Sequence, residues 1–277
     1  MLSCLHLAPG EFFGPATYQR ECAGLSLILT RYRPGPEQPW HVHAHPSFFL
    51  LLGGEHLDRT RHFTVAHPVL TPVYHPATEP HSALVGKQGM LGLNIEYTAA
   101  WLSRQMLTPS QLGGYRLLDS LPARLSVLRF LACAFAALPT SEAEVETVGL
   151  ELLEPLVRIP SLPTPAPAWL PRALEYLQYG VGQPVSLRSV AAEIGVHPVY
   201  LARVFRRIQG CTVSDYLRRL RVAEAGRLVV EEGLSLAQAA LTAGFADQAH
   251  FTRCCRLVLG YTPGRLRALQ TWAQLAN

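Results

Sequence analysis

Two copies of one pattern decide the fold of this chain: VSLRSVAAEIGVHPVYLARVFRRIQG (residues 185–210) and LSLAQAALTAGFADQAHFTRCCRLVLG (residues 234–260). The turn glycines Gly195 and Gly244 lie 49 residues apart, whereas every equivalent position after the turns lies 50 apart. The copies therefore differ by one residue within the turn, where insertions are tolerated. We interpret the stretch Val185–Arg267 as a duplicated helix-turn-helix structure.

Each copy has one apolar face and one outward face. The apolar positions follow the helical spacing i, i+3, i+4, i+7 and are Leu201, Val204, Phe205 and Ile208, then Phe251, Cys254, Cys255 and Val258. The outward positions carry arginines and are Val199, Ala202, Arg203 and Arg206, then Ala249, Thr252, Arg253 and Arg256. A short helix, a glycine turn and a second helix with outward arginines is the arrangement that enters a DNA major groove. The pattern predicts sequence-specific DNA binding.

Charge supports a nucleic-acid partner. The chain has 277 residues and a net charge of +4, but residues 169 to 277 alone hold 13 arginines against seven acidic residues. All of the positive excess therefore accompanies the duplicated pattern. No apolar run reaches the length of a membrane span and the N-terminus lacks a signal-peptide pattern, so we expect a cytoplasmic protein without a membrane partner. The six cysteines show no CxxC spacing, as expected of reduced thiols.

The first hundred residues predict β-structure. Apolar, strand-length runs are bounded by Pro, Gly or polar turns, and they are Leu25–Arg33, Phe48–Leu52, His62–Ala66, Val69–Tyr74 and Met90–Tyr97. We expect Pro34-Gly35-Pro36 to end the first run and Gly53-Gly54 to end the second. Several short strands at this spacing are typical of a small barrel or sandwich. The predicted fold class is α+β, with an N-terminal β-barrel bearing helices and an all-α C-terminal domain.

Histidines concentrate in this β-region. His41, His43 and His45 alternate, and on a strand such positions share one face, so all three are predicted to point into the barrel. His75, Glu79 and His81 follow further along the chain. Imidazole binds zinc, copper and iron, so His43, His45, Glu79 and His81 are candidates for holding either a divalent metal or a small-molecule effector. Histidines bonded only to the backbone are the structural alternative.

Two helices and a linker complete the N-terminal half. Leu121 to Phe135 has helical spacing between Pro122 and Pro139, and a second helix is predicted from an N-cap at Ser141 to Leu156. These helices either cover the barrel or form a dimer interface. Residues 159–168 contain four prolines and predict an extended linker. The domains are therefore 1–158, a proline-rich linker at 159–168, and 169–277, in which a long helix from Ser214 to Val230 joins the two copies.

The C-terminal domain resembles the AraC/XylS family of bacterial transcription regulators. The resemblance covers residues 169 to 268 and rests on the two copies, the joining helix and the ending Gly260-Tyr261-Thr262-Pro263-Gly264-Arg265-Leu266-Arg267. It implies that both recognition helices enter successive major grooves on one face of the DNA. The base-reading candidates that it implies are Val199, Ala202 and Arg203 in the first copy and Gln248, Ala249 and Arg253 in the second. Arg206, Arg207 and Arg256 are the implied phosphate contacts.

The N-terminal half resembles the cupin-type sensing domain that many of these regulators carry. His43-Ala44-His45 resembles the first cupin motif, and Pro76-Ala77-Thr78-Glu79-Pro80-His81 resembles the second, with Thr78 in the place of a glycine. Phe49 or Leu50 stands where the first motif has its glutamate. The resemblance implies an effector in the barrel, or a change in dimerisation, that alters promoter activity.

The sequence therefore predicts an effector-responsive, DNA-binding transcriptional regulator of bacterial type rather than an enzyme. Its implied partners are double-stranded DNA, RNA polymerase, a small-molecule effector and a second copy of the chain, and both activation and repression remain open. The alternative from another class is a metal-dependent cupin enzyme, which leaves the duplicated arginine faces without a role. A third possibility is an architectural DNA-binding protein that responds to no effector, and it leaves the histidines without a role.

Overall fold

The structure of this chain is a computed structural model that describes residues 4–35, 37–135, 141–157 and 166–267. Contacts divide the chain into two compact units, with a boundary between Arg158 and Ile159, and the second unit ends at Gly264. We call the described residues before the boundary the N-terminal unit and residues 166–264 the C-terminal unit. The predicted linker over residues 159–168 lies outside the described residues up to Pro165.

One sheet forms the N-terminal unit. Its strands are β1 (Leu5–Leu7), β2 (Ala16–Cys22), β3 (Leu25–Tyr32), β4 (Gln38–His43), β5 (Ser47–Thr60), β6 (Thr64–Ala66), β7 (Val73–His75), β8 (His81–Tyr97) and β9 (Arg116–Leu117). The hydrogen-bonded order is β1-β4-β8-β5-β7-β9, with β3 also on β8, β2 on β3 and β6 on β5. Four predicted runs overlap β3, β5, β6 and β8. In the predicted run Val69–Tyr74, only Val73 and Tyr74 belong to a strand, β7. The run begins with a turn at Val69 and Leu70.

The paired strands β5 and β8 run the length of the sheet. The register begins at Ser47 opposite Glu96 and ends at Thr60 opposite His81. The prediction that Gly53-Gly54 ends the strand is wrong, because the ladder shifts register there and then continues. Gly54 has φ +85°, and a Cβ on it would lie 2.1 Å from the carbonyl oxygen of Gly89. The glycine therefore permits a bulge with close backbone approach instead of a strand end.

The sheet is curled into a half-barrel. Strands β4 and β7 are separated by β8 and β5, which would place them roughly 14 Å apart in a flat sheet with strand spacing near 4.8 Å. The rings of His43 on β4 and His75 on β7 nevertheless have centroids 6.5 Å apart. Curling brings their side chains together on the concave face.

Helices cover the outside of this sheet. They are α1 (Ala99–Arg104), α2 (Pro109–Leu112), α3 (Leu121–Ala134) and α4 (Glu142–Val157). Ser141 accepts a hydrogen bond from the backbone N–H of Glu144, as the predicted N-cap requires. The hydroxyl of Tyr97 donates to the carbonyl of Gly149 at 3.1 Å, which fixes α4 against β8. A Cβ on Gly149 would meet Leu25 at 2.8 Å, so the small residue lets helix and sheet approach closely.

The C-terminal unit is all-helical. Its helices are α5 (Leu170–Tyr179), α6 (Leu187–Ile194), α7 (Pro198–Gln209), α8 (Val213–Val230), α9 (Leu236–Thr242) and α10 (Gln248–Leu259). The α6–α7 and α9–α10 pairs are the two predicted helix-turn-helix copies, and α8 joins them. Three residues separate α6 from α7 and five separate α9 from α10; one of the two extra residues arises because α9 is one residue shorter than α6, and the other is the additional residue of the second turn. The α+β class with these two parts is confirmed. Across the described ranges, no helix has the length and apolarity to cross a membrane.

Candidate nucleic-acid interface and histidine cluster

The second helix of each copy begins and ends with equivalent local structure. The side chain of His197 accepts the backbone N–H of Val199 at the start of α7, and Asp247 accepts that of His250 at the start of α10. Gly210 and Gly260 end the helices with φ +68° and +79°, the left-handed conformation that glycine adopts without strain. Because both capping positions repeat at a distance of 50 residues, the two helices present equivalent positions to solvent.

The predicted DNA-contacting residues lie on the outer surface of α7 and α10. Ala202 and Thr252 are half-buried, and the others are exposed: Val199, Arg203, Arg206 and Arg207 on α7 and Gln248, Ala249, Arg253 and Arg256 on α10. Val199 has 69% of its surface exposed, which is unusual for an apolar residue in a helix. An exposed valine near the start of this helix suits an apolar contact with a thymine methyl group.

The arginines on these two helices are unpaired. Across the part of the chain that the structure describes, Arg203, Arg206, Arg207, Arg253 and Arg256 form no ion pair. Other arginines of the same unit do so, and the ion pairs are Arg172 with Glu193, Arg218 with Asp215, and Arg227 with Glu224. Five exposed arginines without an ion pair among the described residues therefore lie on α7 and α10, where they can meet phosphates or base edges, and two more are Arg188 on α6 and Arg219 on α8.

Cys255 takes the place in α10 that Phe205 takes in α7. Phe205 is fully buried and its ring packs edge-on against Tyr216 at 5.5 Å. Cys255 is also fully buried, and burial followed by the neighbouring Cys254 raises the pKa of its thiol to about 12. A protonated, enclosed thiol is a packing residue, and such thiols react slowly.

Seven buried side chains meet on the concave face of the sheet. We call them the histidine cluster, and its members are His41, His43, His56, Asp58, His67, His75 and His81. They come from β4, β5, β7, β8 and the segment after β6. A cavity of about 20 Å³, enough for one water-sized particle, lies among them and is lined by all of these residues except His67.

Two sets within the cluster bring ligand atoms close together. In His41, His43 and His81, one nitrogen of each ring lies within 4.8 Å of the others. The same limit holds for His56, Asp58 and His67. We call these the first group and the second group. Both consist of ligand types that hold divalent transition metals.

Asp58 is the centre of the second group. Its Oδ2 lies 2.8 Å from Nε2 of His75 and 3.0 Å from Nε2 of His67, and it accepts a hydrogen bond from the Tyr115 hydroxyl at 3.0 Å. Its Oδ1 lies 3.5 Å from Nε2 of His56 and has no hydrogen-bond partner among the described residues. The Nδ1 atoms of His56 and His67 face each other at 3.3 Å.

Burial sets the protonation of the cluster. Loss of solvent lowers the pKa of His43 and of His56 to about 3, and it lowers that of His41 and His81 as well. For Asp58, burial acts in the opposite direction, but the adjacent His75 and His67 hold its pKa well below the usual range. His41, His43, His56 and His81 are therefore neutral near an ionised Asp58 at neutral pH, and each of these four rings keeps one nitrogen lone pair for a ligand.

Comparison with known proteins identifies the family to which the C-terminal helices belong. Residues 190–268 match the model of a helix-turn-helix domain. The HTH-type transcriptional regulator GlxA of Rhizobium meliloti (strain 1021) is 34% identical over 94 residues, which are 34% of this chain and 29% of GlxA. The probable transcription factor PqrA of Proteus vulgaris is 32% identical over 83 residues, which are 30% of this chain and 68% of PqrA. The match therefore spans less than a third of GlxA but about two thirds of PqrA.

The chain belongs to the AraC family of transcriptional regulators. Among solved structures, a transcriptional regulator with an AraC-type DNA-binding domain from Chromobacterium violaceum is 30% identical to it, with a TM-score of 0.36. That match covers 38% of this chain and 92% of the other.

In this AraC-family chain, two of the four predicted barrel residues lie in the histidine cluster and two do not. His43 and His81 are members. His45 is not, because β4 ends at His43 and the chain turns before β5, so the alternation of faces stops there. Glu79 is not a member either, since its carboxylate accepts the backbone N–H of Tyr115 at 3.1 Å. The prediction that all three early histidines face the interior is thus corrected, with His41 and His43 sharing that face.

Sequence reasoning missed the second group. His56 and Asp58 alternate on β5 and so share a face, a signal that was present in the sequence. A strand that ends at Gly53-Gly54, as predicted, does not include this alternation. His67 follows β6, the strand paired with this part of β5, and Tyr115 lies 57 residues from Asp58, so neither position carries a local pattern that points to Asp58.

Proposed function

We propose that this chain binds double-stranded DNA by placing α7 and α10 in successive major grooves, and that it regulates transcription from the bound site. The observation that carries the proposal is the repetition of exposed, unpaired arginines at equivalent positions, Arg203 with Arg253 and Arg206 with Arg256. Membership of the AraC family and the positive charge of the C-terminal domain support it.

Within this proposal the residues have two kinds of role. Val199, Ala202 and Arg203, and Gln248, Ala249 and Arg253, contact base edges, because a side chain one turn into a recognition helix reaches the groove floor. Arg206, Arg207, Thr252 and Arg256 contact phosphates and set the orientation of the helix. Guanidinium is suited to guanine, whose O6 and N7 atoms accept two parallel hydrogen bonds.

We extend the proposal to control by an effector. The histidine cluster of the N-terminal unit is the site that we propose for it, since a cavity lies among its buried polar side chains and its members His43 and His81 are two of the four predicted ligands. RNA polymerase, and a second copy of the chain, are the further partners proposed for a cytoplasmic regulator of this family.

The experiment is selection of bound DNA from a random pool with the full chain, followed by binding measurements on the selected site. Arg203→Ala is expected to cost about 1 to 3 kcal/mol and to relax the preference at one base pair. Arg207→Ala is the matched control on the same helix, and it should weaken binding to all sequences by a similar factor. Enrichment of no sequence, or the same loss of specificity in both variants, would contradict the proposed roles.

A further inference from the structure

Within the second group, the hydrogen bonds between His56, His67 and Asp58 cannot all form if both imidazole rings are neutral. If the 3.3 Å contact between the Nδ1 atoms of His56 and His67 is a hydrogen bond, one of these atoms carries the proton. A neutral ring with its proton on Nδ1 has a bare Nε2. Both Nε2 atoms face Asp58, at 3.5 Å for His56 and 3.0 Å for His67. Whichever tautomer is chosen, one Nε2 lone pair therefore lies beside a carboxylate oxygen. The Tyr115 hydroxyl is 3.0 Å from Nε2 of His67 and 3.0 Å from Oδ2 of Asp58, but it can donate to only one of them.

A cation removes this conflict, because it attracts the nitrogen lone pair and the carboxylate together. Asp58 has one oxygen ready for it: Oδ1 is buried and accepts no hydrogen bond from the described residues. Its other oxygen, Oδ2, is held by the Tyr115 hydroxyl and by Nε2 of His75. This division is typical of a metal-binding carboxylate, in which one oxygen binds the ion and outer residues orient the group through the other.

Space and enclosure also suit an ion. The adjoining cavity has a volume of about 20 Å³, whereas drug-sized organic ligands occupy roughly 300 Å³ or more. The members of the second group are all buried, and they reach the site from β5 and from the segment after β6. The outer residue Tyr115 is itself fixed by Glu79, which accepts its backbone N–H.

We propose that His56, Asp58 and His67 form a binding site for a divalent first-row transition metal ion, with His75 and Tyr115 as the outer residues that orient Asp58. Two imidazoles and one carboxylate are a ligand set of zinc and of ferrous iron. The binding site does not depend on the proposed DNA binding. Only a role of the metal ion as the effector rests on the proposed DNA binding.

The experiment is Zn²⁺ titration of the untagged full chain after EDTA treatment and dialysis, by calorimetry and by metal analysis. Co²⁺ is the spectroscopic probe of ligand geometry. Asp58→Asn and His56→Gln are each expected to remove one equivalent of bound Zn²⁺, or to weaken the binding of that Zn²⁺ at least about 10-fold. His62→Gln is the matched control, because His62 is an exposed histidine in the turn between β5 and β6 and should bind as the unchanged chain does.

The double variant His41→Gln/His81→Gln separates the two groups. This variant leaves the second group intact, so it should still bind the equivalent of Zn²⁺ that the Asp58→Asn variant loses. Absence of Zn²⁺ and Co²⁺ binding by the unchanged chain would overturn the proposal and favour an extra proton on one ring. Loss of all binding in the folded double variant would also overturn it. DNA binding measured with EDTA present reports on the proposed function separately.

Discussion

Two buried carboxylates on the sheet differ in ionisation because they have different neighbours. Asp58 is surrounded by histidine nitrogens and the Tyr115 hydroxyl, which keep its pKa well below the usual range despite burial. Glu96 is equally buried, but only the backbone N–H of Gly10 donates to it, at 2.9 Å, among the described residues. Burial raises the pKa of Glu96 to about 7, and this one hydrogen bond offsets only part of that rise. Glu96 is therefore expected to make the free energy of unfolding depend on pH.

We predict that Glu96→Gln increases the free energy of unfolding at pH 8 but changes it little at pH 5. Between the ordinary pKa of 4.5 and the folded value of about 7, the folded state binds more protons than the unfolded state. Stability associated with this group is therefore lost as pH rises through that window and stays lost above it. Glutamine resembles the protonated acid and does not titrate. Urea unfolding at both pH values measures the difference.

Glu55→Gln serves as the control for this measurement, because Glu55 is exposed on β5 and is not among the charges that shift the pKa of Glu96. All other titratable groups are the same in the variant and the unchanged chain, so only the difference between the two proteins is compared. An equal change in the free energy of unfolding at pH 5 and pH 8 for Glu96→Gln would show that its ionisation does not differ between the folded and unfolded states.

At the scale of elements, the continuous β5–β8 pair allows the histidine cluster to form. His56 and Asp58 lie beyond the two register shifts of β5, and His81 begins β8 opposite the end of β5. If β5 ended at Gly53, these residues would have no fixed face. The bulge at Gly54 increases local twist, which contributes to the curl of the sheet.

We predict that Gly54→Ala destabilises the chain by at least about 2 kcal/mol, because its left-handed backbone strains any Cβ and the carbonyl of Gly89 occupies the space. Gly53→Ala is the matched control, since a Cβ there meets nothing within 4 Å. It should change stability by less than about 0.5 kcal/mol. Thermal or urea unfolding compares the two variants, and similar losses in both would show that the bulge geometry does not require Gly54.

At the scale of the whole molecule, charge and apolar surface are divided between two units. The C-terminal unit has its own core, formed by residues on all six of its helices, including Leu177, Val190, Phe205, Leu228 and Phe251. Five of its exposed arginines lie on α7 and α10 and form no ion pair among the described residues. A unit that buries its own apolar faces does not need the other for stability.

We predict that residues 169–277 expressed alone fold and bind the DNA selected by the full chain. Circular dichroism reports folding, and binding is measured as for the full chain. The same fragment carrying Arg203→Ala and Arg253→Ala should fold equally well and lose specific binding. An unfolded fragment would place the domain boundary elsewhere.

The sequence was sufficient to predict the helices of the C-terminal half, because the signals that define them are local and occur twice. Helical spacing, capping residues and turn glycines act within a few residues of one another, so the pattern at 185–210 defines two helices and an outward face. The second copy at 234–260 repeats these signals, and the predicted core positions Leu201, Phe205 and Phe251 are buried. The family resemblance rests on the same stretch.

Only the tertiary structure decided the composition of the histidine cluster. Alternation predicts a shared face but not where a strand ends, so His45 was included although β4 ends two residues earlier. His56, His67 and His75 meet around Asp58 because the sheet curls, and curl results from the twist and bulges of many paired strands. His75 and Tyr115 lie 17 and 57 residues from Asp58 in sequence, and contacts at such separations leave no local pattern, so the outer residues around the second group appear only in the folded chain.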